Sequence, residues 1–264
     1  MMLLDIPWNV NPEIFNIGKF AIRWYGLLYA SSFFFGYLIM ARFFKKEKIP
    51  EAILDRLTLY MVLGTIIGAR LGHCLFYEPG YYLANPLEIL KIWHGGLASH
   101  GAAIGIFIAL YLFAKKSKKS YMWILDRVAV VVALAAFFIR TGNLMNSEIY
   151  GVETSLPWGF VFLRNGETVP KHPTQIYEAL AYLLVFILLY FIYIKKQGVI
   201  KSGLLFSLFM IFVFTFRFFV EFIKNDQVTF ESGMMLNMGQ WLSIPFVLFG
   251  IILLYFVLKK PAPE

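Results

Sequence analysis

The chain has 264 residues, 59% of them hydrophobic, 19% aromatic and only 15% charged, with a mean hydropathy of +0.68. A soluble domain runs at about 45–50% apolar and about 25% charged, so this composition excludes one and specifies an integral membrane protein, read as a single membrane domain over residues 1–264. The formal charge of +8 sits in short lysine clusters between apolar runs, where it sets orientation and is no sign of a nucleic-acid partner.

A helix needs about 20 apolar residues to cross the hydrocarbon core. Seven runs qualify in chain order: 20–41, 57–77, 98–114, 121–140, 175–194, 203–223 and 240–258. The third is short and needs the approach Gly95–Ser99 to complete it. The predicted fold is all-α, a polytopic membrane protein of seven transmembrane helices. The start, Met1 to Phe15, is acidic and has no continuous apolar stretch, so no cleavable signal peptide is expected. The single cysteine, Cys74, cannot form an internal disulfide, and its apolar neighbours suit a buried, inert thiol.

Lysine and arginine decide the orientation. Fourteen lie on the side reached after runs one, three, five and seven, among them Arg42, Lys45, Lys46, Lys115, Lys116, Lys195 and Lys259. Seven lie on the other side: Lys19, Arg23, Lys91, Arg140, Arg164, Lys171 and Lys224. Arg70, Arg127 and Arg217 fall inside the runs. The positive-inside rule then puts the N-terminus outside and the C-terminus in the cytoplasm. On that topology Arg23, Tyr25, Arg70, His73, His100, Arg140, His172, Gln175, Glu178, Arg217, Glu221 and Gln240 all lie toward the outer ends of their runs, with Asp126 and Arg127 the exceptions. Ionisable groups at membrane depth are expensive and face protein or a water-filled cavity, so this one-sided clustering points to a polar chamber open to the outer leaflet. A channel or transporter would line a path through both halves, and the inner halves here are almost wholly apolar. A non-catalytic scaffold needs no convergence of Arg, His and Glu.

The densest polar stretch is Arg140-Thr-Gly-Asn-Leu-Met-Asn-Ser-Glu-Ile-Tyr-Gly151. Its asparagines and Glu148 offer donors and acceptors to a polar ligand, and its glycines permit close backbone approach. Against this stands a helix end capped by Gly142, with Arg140 reaching to the headgroups. Gly64, Gly68 and Gly72 recur every four residues and form a small-residue stripe for close helix packing. Arg70 admits two readings, ligand contact or a structural ion pair. His100 reads either as a base titrating near neutral pH or as a hydrogen-bonding group between helices. Arg217 and Glu221 are i, i+4 neighbours able to pair, and the fork of Arg217 also suits a phosphate. In His172-Pro-Thr-Gln-Ile-Tyr-Glu178, Gln175 and Glu178 share a face. Four scattered histidines with no metal-ligand spacing, and no phosphate-binding loop or dinucleotide fingerprint, leave no metal or cofactor expected. A reaction here would take its energy from the substrate.

These motifs together resemble the prolipoprotein diacylglyceryl transferase family. The family marker Gly-Arg-x-Gly-Asn-Phe-x-Asn-x-Glu-x-x-Gly is matched by Arg140, Gly142, Asn143, Asn146, Glu148 and Gly151, with Ile139 in place of the first glycine and Leu144 in place of the aromatic. Further matches follow in family order: Arg23-Trp-Tyr-Gly26, Gly68-Ala-Arg-Leu-Gly72, Gly95-Gly-Leu-Ala-Ser-His-Gly101, the His172–Glu178 segment, Arg217-Phe-Phe-Val-Glu221 and Met238-Gly-Gln240. The resemblance implies transfer of an sn-1,2-diacylglyceryl group from phosphatidylglycerol to the lipobox cysteine thiol of a bacterial prolipoprotein, in the cytoplasmic (inner) membrane and without a cofactor. The catalytic residues it suggests are His100 as base, Arg140 and Arg217 on the leaving phosphate, and Glu221 orienting Arg217. Substrate binding would fall to Tyr25, Arg70, Asn143, Asn146, Glu148, Gly151, His172 and Gln175.

Overall fold

The computed structural model describes residues 6–18, 20–225 and 233–261. Lys19, counted among the orienting cations, and the first five residues lie outside this set. Three short strands open the chain, β1 (Ile6–Trp8), β2 (Glu13–Ile17) and β3 (Phe20–Arg23). Helices follow: α1 (Trp24–Lys46), α2 (Glu51–Phe76), the short α3 (Pro79–Ala84), α4 (Ser99–Ser117) and α5 (Tyr121–Met145). A fourth strand, β4 (Phe160–Phe162), precedes α6 (Thr174–Lys195), α7 (Leu204–Val220, continued as a 3-10 turn to Ile223) and α8 (Met238–Lys259).

Among the described residues, six helices (α1, α2, α5, α6, α7 and α8) are long and apolar enough to cross a membrane. Their outward faces are apolar, as Leu248, Ile252 and Phe256 of α8 illustrate. In water such faces would be an aggregation hazard, whereas hydrocarbon accepts them because each helix satisfies its own backbone. The third run does fold as a helix, α4. Ser99 and His100 at its start and Lys115 and Lys116 at its end leave only a short apolar stretch between them. The first run starts later than expected. Residues 20–23 pair with Glu13–Ile17 in an antiparallel hairpin, and Arg23 reaches Glu13 across it at 3.3 Å.

The chain forms two compact units. One is Met40–Leu125; the other joins the chain up to Ile39 with the chain from Asp126 onward. In the first, the glycine stripe of α2 lies against a second stripe on α4. A Cβ added at Gly64 would sit 2.6 Å from the Ala109 Cβ, one at Gly68 2.8 Å from the Gly105 Cα, and one at Gly72 2.6 Å from the Gly101 Cα. Backbone thus touches backbone along the pair, which lipid alone would not enforce.

In the second unit, Asp126 and Arg127 take up structural duties. The Asp126 carboxylate, fully buried on α5, accepts from the Gly203 N–H at 2.7 Å and the Phe206 N–H at 2.9 Å. It caps the first turn of α7 from another helix, where orphan N–H groups and the helix dipole favour an anion. Arg127 donates to the Gly198 carbonyl at 3.2 Å in the loop between α6 and α7. Elsewhere in this unit β1 pairs in parallel with β4, and Leu144, Phe160 and Phe162 form a small core with Trp8, Tyr150 and Ile176 packed on it.

The glycine contact generates a measurable expectation. Gly68→Ala should force α2 and α4 apart and destabilise the protein by about 1–3 kcal/mol, the usual scale of overpacking. Gly80→Ala in α3, where an added Cβ meets nothing within 4 Å, should leave stability unchanged. Thermal unfolding of both variants in detergent checks this; equal melting temperatures would contradict backbone contact along the stripe.

Candidate functional site

The polar stretch begins inside a helix. α5 continues through Gly142 to Met145, so Gly142 is no cap. It makes room instead for Tyr25 of α1, because a Cβ at Gly142 would lie 2.8 Å from the Tyr25 ring. Helical spacing brings Arg140 and Asn143 together, and Arg140 Nη1 donates to Asn143 Oδ1 at 3.2 Å. Asn143 Nδ2 in turn donates to Glu148 Oε1 at 2.7 Å, and Asn146 Nδ2 reaches the same oxygen at 3.3 Å.

After α5 the chain turns sharply. Ser147 and Ile149 adopt φ of 56° and 62°, left-handed values that a β-branched residue such as isoleucine rarely takes. Side chains from elsewhere hold this turn. Asn165 Nδ2 donates to the Ser147 carbonyl at 2.7 Å, Gln175 Nε2 to the Glu148 carbonyl at 2.7 Å, and the Thr174 hydroxyl to the Ile149 carbonyl at 2.8 Å. The turn leaves the Glu148 side chain exposed. It also lines a polar pocket of about 520 Å³ with Asn146, Ser147, Tyr150, Asn165 and Asn225.

Two arginines face a buried carboxylate each. Arg140 Nε lies 3.1 Å from Glu178 Oε2, and Arg217 Nε lies 3.7 Å from Glu221 Oε1. Lys224 links the two pairs, its Nζ 3.1 Å from that same Glu178 oxygen and 2.9 Å from that same Glu221 oxygen. Glu178 Oε2 is off the hydrogen-bond axis of both its cations, so charge rather than an aligned bond holds it. The other carboxylate oxygens take neutral donors: the Tyr182 hydroxyl on Glu178 Oε1 at 3.1 Å, and Asn237 Nδ2 on Glu221 Oε2 at 3.1 Å. Exposure is graded along the chain of charges. The Glu178 and Lys224 side chains are enclosed, at 0% and 1%, whereas Arg140 keeps 13% and Arg217 33% of its surface open.

Glycines let this assembly close. Gly239, in the first turn of α8, abuts the Glu221 carboxylate, where an added Cβ would lie 2.6 Å from its carbon. Gly151 is pressed between the Ile223 carbonyl, His172 and Thr174. Its backbone bridges Lys224 in antiparallel fashion, and its N–H donates to the His172 carbonyl at 2.8 Å. His172 Nδ1 meets the Tyr177 hydroxyl at 3.2 Å, and burial holds the His172 pKa below its ordinary value.

The structure thus gathers Tyr25, Arg140, Asn143, Asn146, Glu148, Gly151, His172, Gln175, Arg217 and Glu221 in the unit that contains α5 to α8. Two expected binders make contacts within the protein. Gln175 is fully buried under the turn, where its Nε2 clamps the Glu148 carbonyl while its Oε1 has no hydrogen-bond partner. Arg70, in the Met40–Leu125 unit, is only 4% exposed and donates to the carbonyls of Glu88, Ile89, Gly95 and Gly96 at 2.6–3.3 Å, with the Tyr82 ring 5.0 Å from its guanidinium carbon. It pins the segment that leads into α4, a duty different from either reading of its sequence context. His100 lies exposed in the first turn of α4. Among the described residues, no three His, Cys, Asp or Glu side chains gather closely enough to hold a metal ion.

Sequence reasoning missed Lys224, Tyr182 and Asn237. Lys224 counted only as an orienting cation, although Arg217, Glu221 and Lys224 follow i, i+4, i+7 spacing and so share one face. Nothing local marks Asn237 beyond its place before the Met238-Gly-Gln240 motif, where it forms a reciprocal capping box with Gln240.

Comparison with known proteins is consistent across the whole chain. The family model described as prolipoprotein diacylglyceryl transferase matches residues 12–256. A protein of Tolumonas auensis named phosphatidylglycerol–prolipoprotein diacylglyceryl transferase is 46% identical, over 97% of this chain and 98% of its own length. Proteins of the same name from Bacteroides fragilis, 47% identical over 98% of both chains, and Chloroherpeton thalassium, 45% identical over 98% and 97%, are similar to the same extent.

The enclosed charges make Glu178 a stability determinant. Glu178→Ala leaves Lys224 and Arg140 without their shared anion, and breaking a buried pair costs about 3–5 kcal/mol. Glu148→Gln, at an exposed side chain that keeps an acceptor for Asn143 and Asn146, should cost about 1 kcal/mol or less. Thermal unfolding in detergent distinguishes them; a Glu178→Ala protein melting with the wild type would show that the buried network carries no stability.

Proposed function

Because the chain belongs to the prolipoprotein diacylglyceryl transferase family, we propose that it moves an sn-1,2-diacylglyceryl group from phosphatidylglycerol to the lipobox cysteine of a prolipoprotein, the first step of lipoprotein maturation. The observation that carries this reading is the pair of partly open arginines, each backed by a buried carboxylate. Two fixed guanidinium forks suit one phosphate, and their buried partners hold them before any ligand arrives.

In the proposed reaction the cysteine sulfur attacks the glycerol carbon that bears the phosphate. The C–S bond forms, the C–O bond breaks, and its electron pair leaves on the oxygen of glycerol phosphate. The thiol proton passes to a base. A free thiol has a pKa of about 8.5, so a base or a cationic field must raise its thiolate fraction at neutral pH. His100 is the proposed base, on the chemistry of an exposed imidazole. Arg140 and Arg217 stabilise the phosphate as it gains charge, and Glu221 orients Arg217. Tyr25, Asn143, Asn146 and Glu148 meet the headgroup, while Gly151, His172 and Gln175 keep the surrounding backbone in place.

We further propose seven spans, with α4 as the additional one, the N-terminus outside, and the site toward the extracytoplasmic leaflet of the bacterial cytoplasmic membrane. Nineteen residues of helix reach roughly 28 Å at 1.5 Å per residue, close to the hydrocarbon thickness, and the glycine contact with α2 supports that placement.

Transfer assays and thiol labelling test this reading. Purified protein with labelled phosphatidylglycerol and a lipobox peptide should form the thioether-linked lipid. Arg140→Lys should fold but retain at most about 1% of turnover, since lysine lacks the planar fork and one lost donor to developing charge costs about 10²–10³. His100→Ala should lose activity at neutral pH and regain part of it toward pH of about 9, as the thiol ionises unaided. Wild-type turnover in Arg140→Lys would remove the phosphate role. For orientation, an impermeant thiol reagent should label an engineered cysteine in residues 152–169 of intact cells and leave one at Lys118 unlabelled; the reverse pattern would invert the topology.

A further inference from the structure

We propose that Lys224, enclosed between Glu178 and Glu221, is a positioning residue whose charge keeps these carboxylates from neutralising Arg140 and Arg217, so that the two arginines present a net positive charge to an anionic ligand. This rests on the reading of the arginines as a phosphate grip.

The geometry separates orientation from charge. Each carboxylate already has a neutral donor on one oxygen, Tyr182 on Glu178 and Asn237 on Glu221. Each shares its other oxygen between one arginine and Lys224. Removing Lys224 would leave both carboxylates hydrogen-bonded but change the balance. Arg140, Arg217 and Lys224 carry three positive charges against two negative ones, a surplus of one; without Lys224 the surplus is zero. Lys224 itself is 1% exposed and cannot touch a substrate, so it acts through the arginines, which remain open. A charge buried in a low-dielectric setting acts over several ångströms with little screening.

The marker glycine sets this lysine in place. Gly151 bridges Lys224 backbone to backbone, and the adjacent Val152 N–H donates to the Ile223 carbonyl at 2.9 Å. A side chain at 151 would strike that carbonyl. In the proposed transfer the phosphate passes from a diester with one negative charge to a monoester approaching two. The surplus cation therefore matters more in the transition state than in the bound ground state.

The test compares Lys224→Met, Lys224→Arg and the double variant Lys224→Met/Glu178→Gln, reading turnover and KM for phosphatidylglycerol per folded molecule. Lys224→Met should lose about tenfold to a hundredfold in kcat with a smaller change in KM. Lys224→Arg should stay within a few-fold of wild type. The double variant restores the surplus of one and should recover at least about fivefold over Lys224→Met, a rescue that a packing role would not give. Wild-type kcat in folded Lys224→Met, or a double variant no better than the single one, would overturn the proposal. Should Lys224→Met not accumulate, Lys224→Arg decides: a folded Lys224→Arg protein tenfold below wild type would mean that charge is not what counts. Absence of transfer by the wild type would instead remove the transferase reading. In that event thermal stabilisation by glycerol 1-phosphate still reports the charge, being expected in the wild type and weakened in Lys224→Met; equal stabilisation of the two would overturn the inference.

Discussion

Everything at the site depends on an alternation of charge: Arg140, Glu178, Lys224, Glu221, Arg217. Cations and anions taken from water into a low-dielectric interior pay a desolvation cost of several kcal/mol each, and only close, multiply bonded partners offset it. The alternation meets that requirement by having two oxygens each face two cations. Its middle is sealed and its ends are open. In the proposed reaction a ligand phosphate would meet guanidinium groups held by these carboxylates, which would reduce the reorganisation that is usually the main cost of stabilising charge in water.

Glycines of the marker and of the Met238-Gly-Gln240 motif support this arrangement from outside it. Gly142 admits the Tyr25 ring, Gly151 admits the Ile223 carbonyl next to Lys224, and Gly239 admits the Glu221 carboxylate. Three glycines serve three close approaches, none of which involves a turn. The left-handed Ser147 and Ile149 cost of order 1–3 kcal/mol each, and the side chains of Asn165, Thr174 and Gln175 hold them there by their carbonyls.

How much of this was legible in the sequence varies with the physics. Helical runs were readable because lipid tolerates no unsatisfied backbone, so apolar length alone marks them. The glycine stripe on α2 was readable because its four-residue period defines a face; its partner stripe of Gly101 and Gly105 was not singled out. Arg140, Arg217 and Glu221 stood out as charges where charge is costly. Lys224 did not, because it follows the apolar run and looks like any cation at a membrane edge until the fold brings Glu178 to it. Arg70 illustrates another limit. Its partners are main-chain carbonyls, which every residue carries and which leave no mark in a sequence. Strand β3 was hidden in what read as the start of the first span, since Phe20-Ala-Ile-Arg23 is as apolar as helix and short enough to be either.

The Asp126 cap has a mechanical consequence. Asp126 and Arg140 lie on α5 fourteen residues apart, roughly 21 Å along the helix axis. Asp126 grips the first turn of α7, while Arg140 reaches the last turn of α7 through Glu178, Lys224 and Glu221. Helix α7 is therefore fastened to α5 at both ends, like a rung pinned in two uprights. A single fastening would let it slide or pivot along its length; two forbid both. The spacing of the two guanidinium groups is consequently gauged from the opposite end of the helix pair, by an aspartate that no substrate reaches.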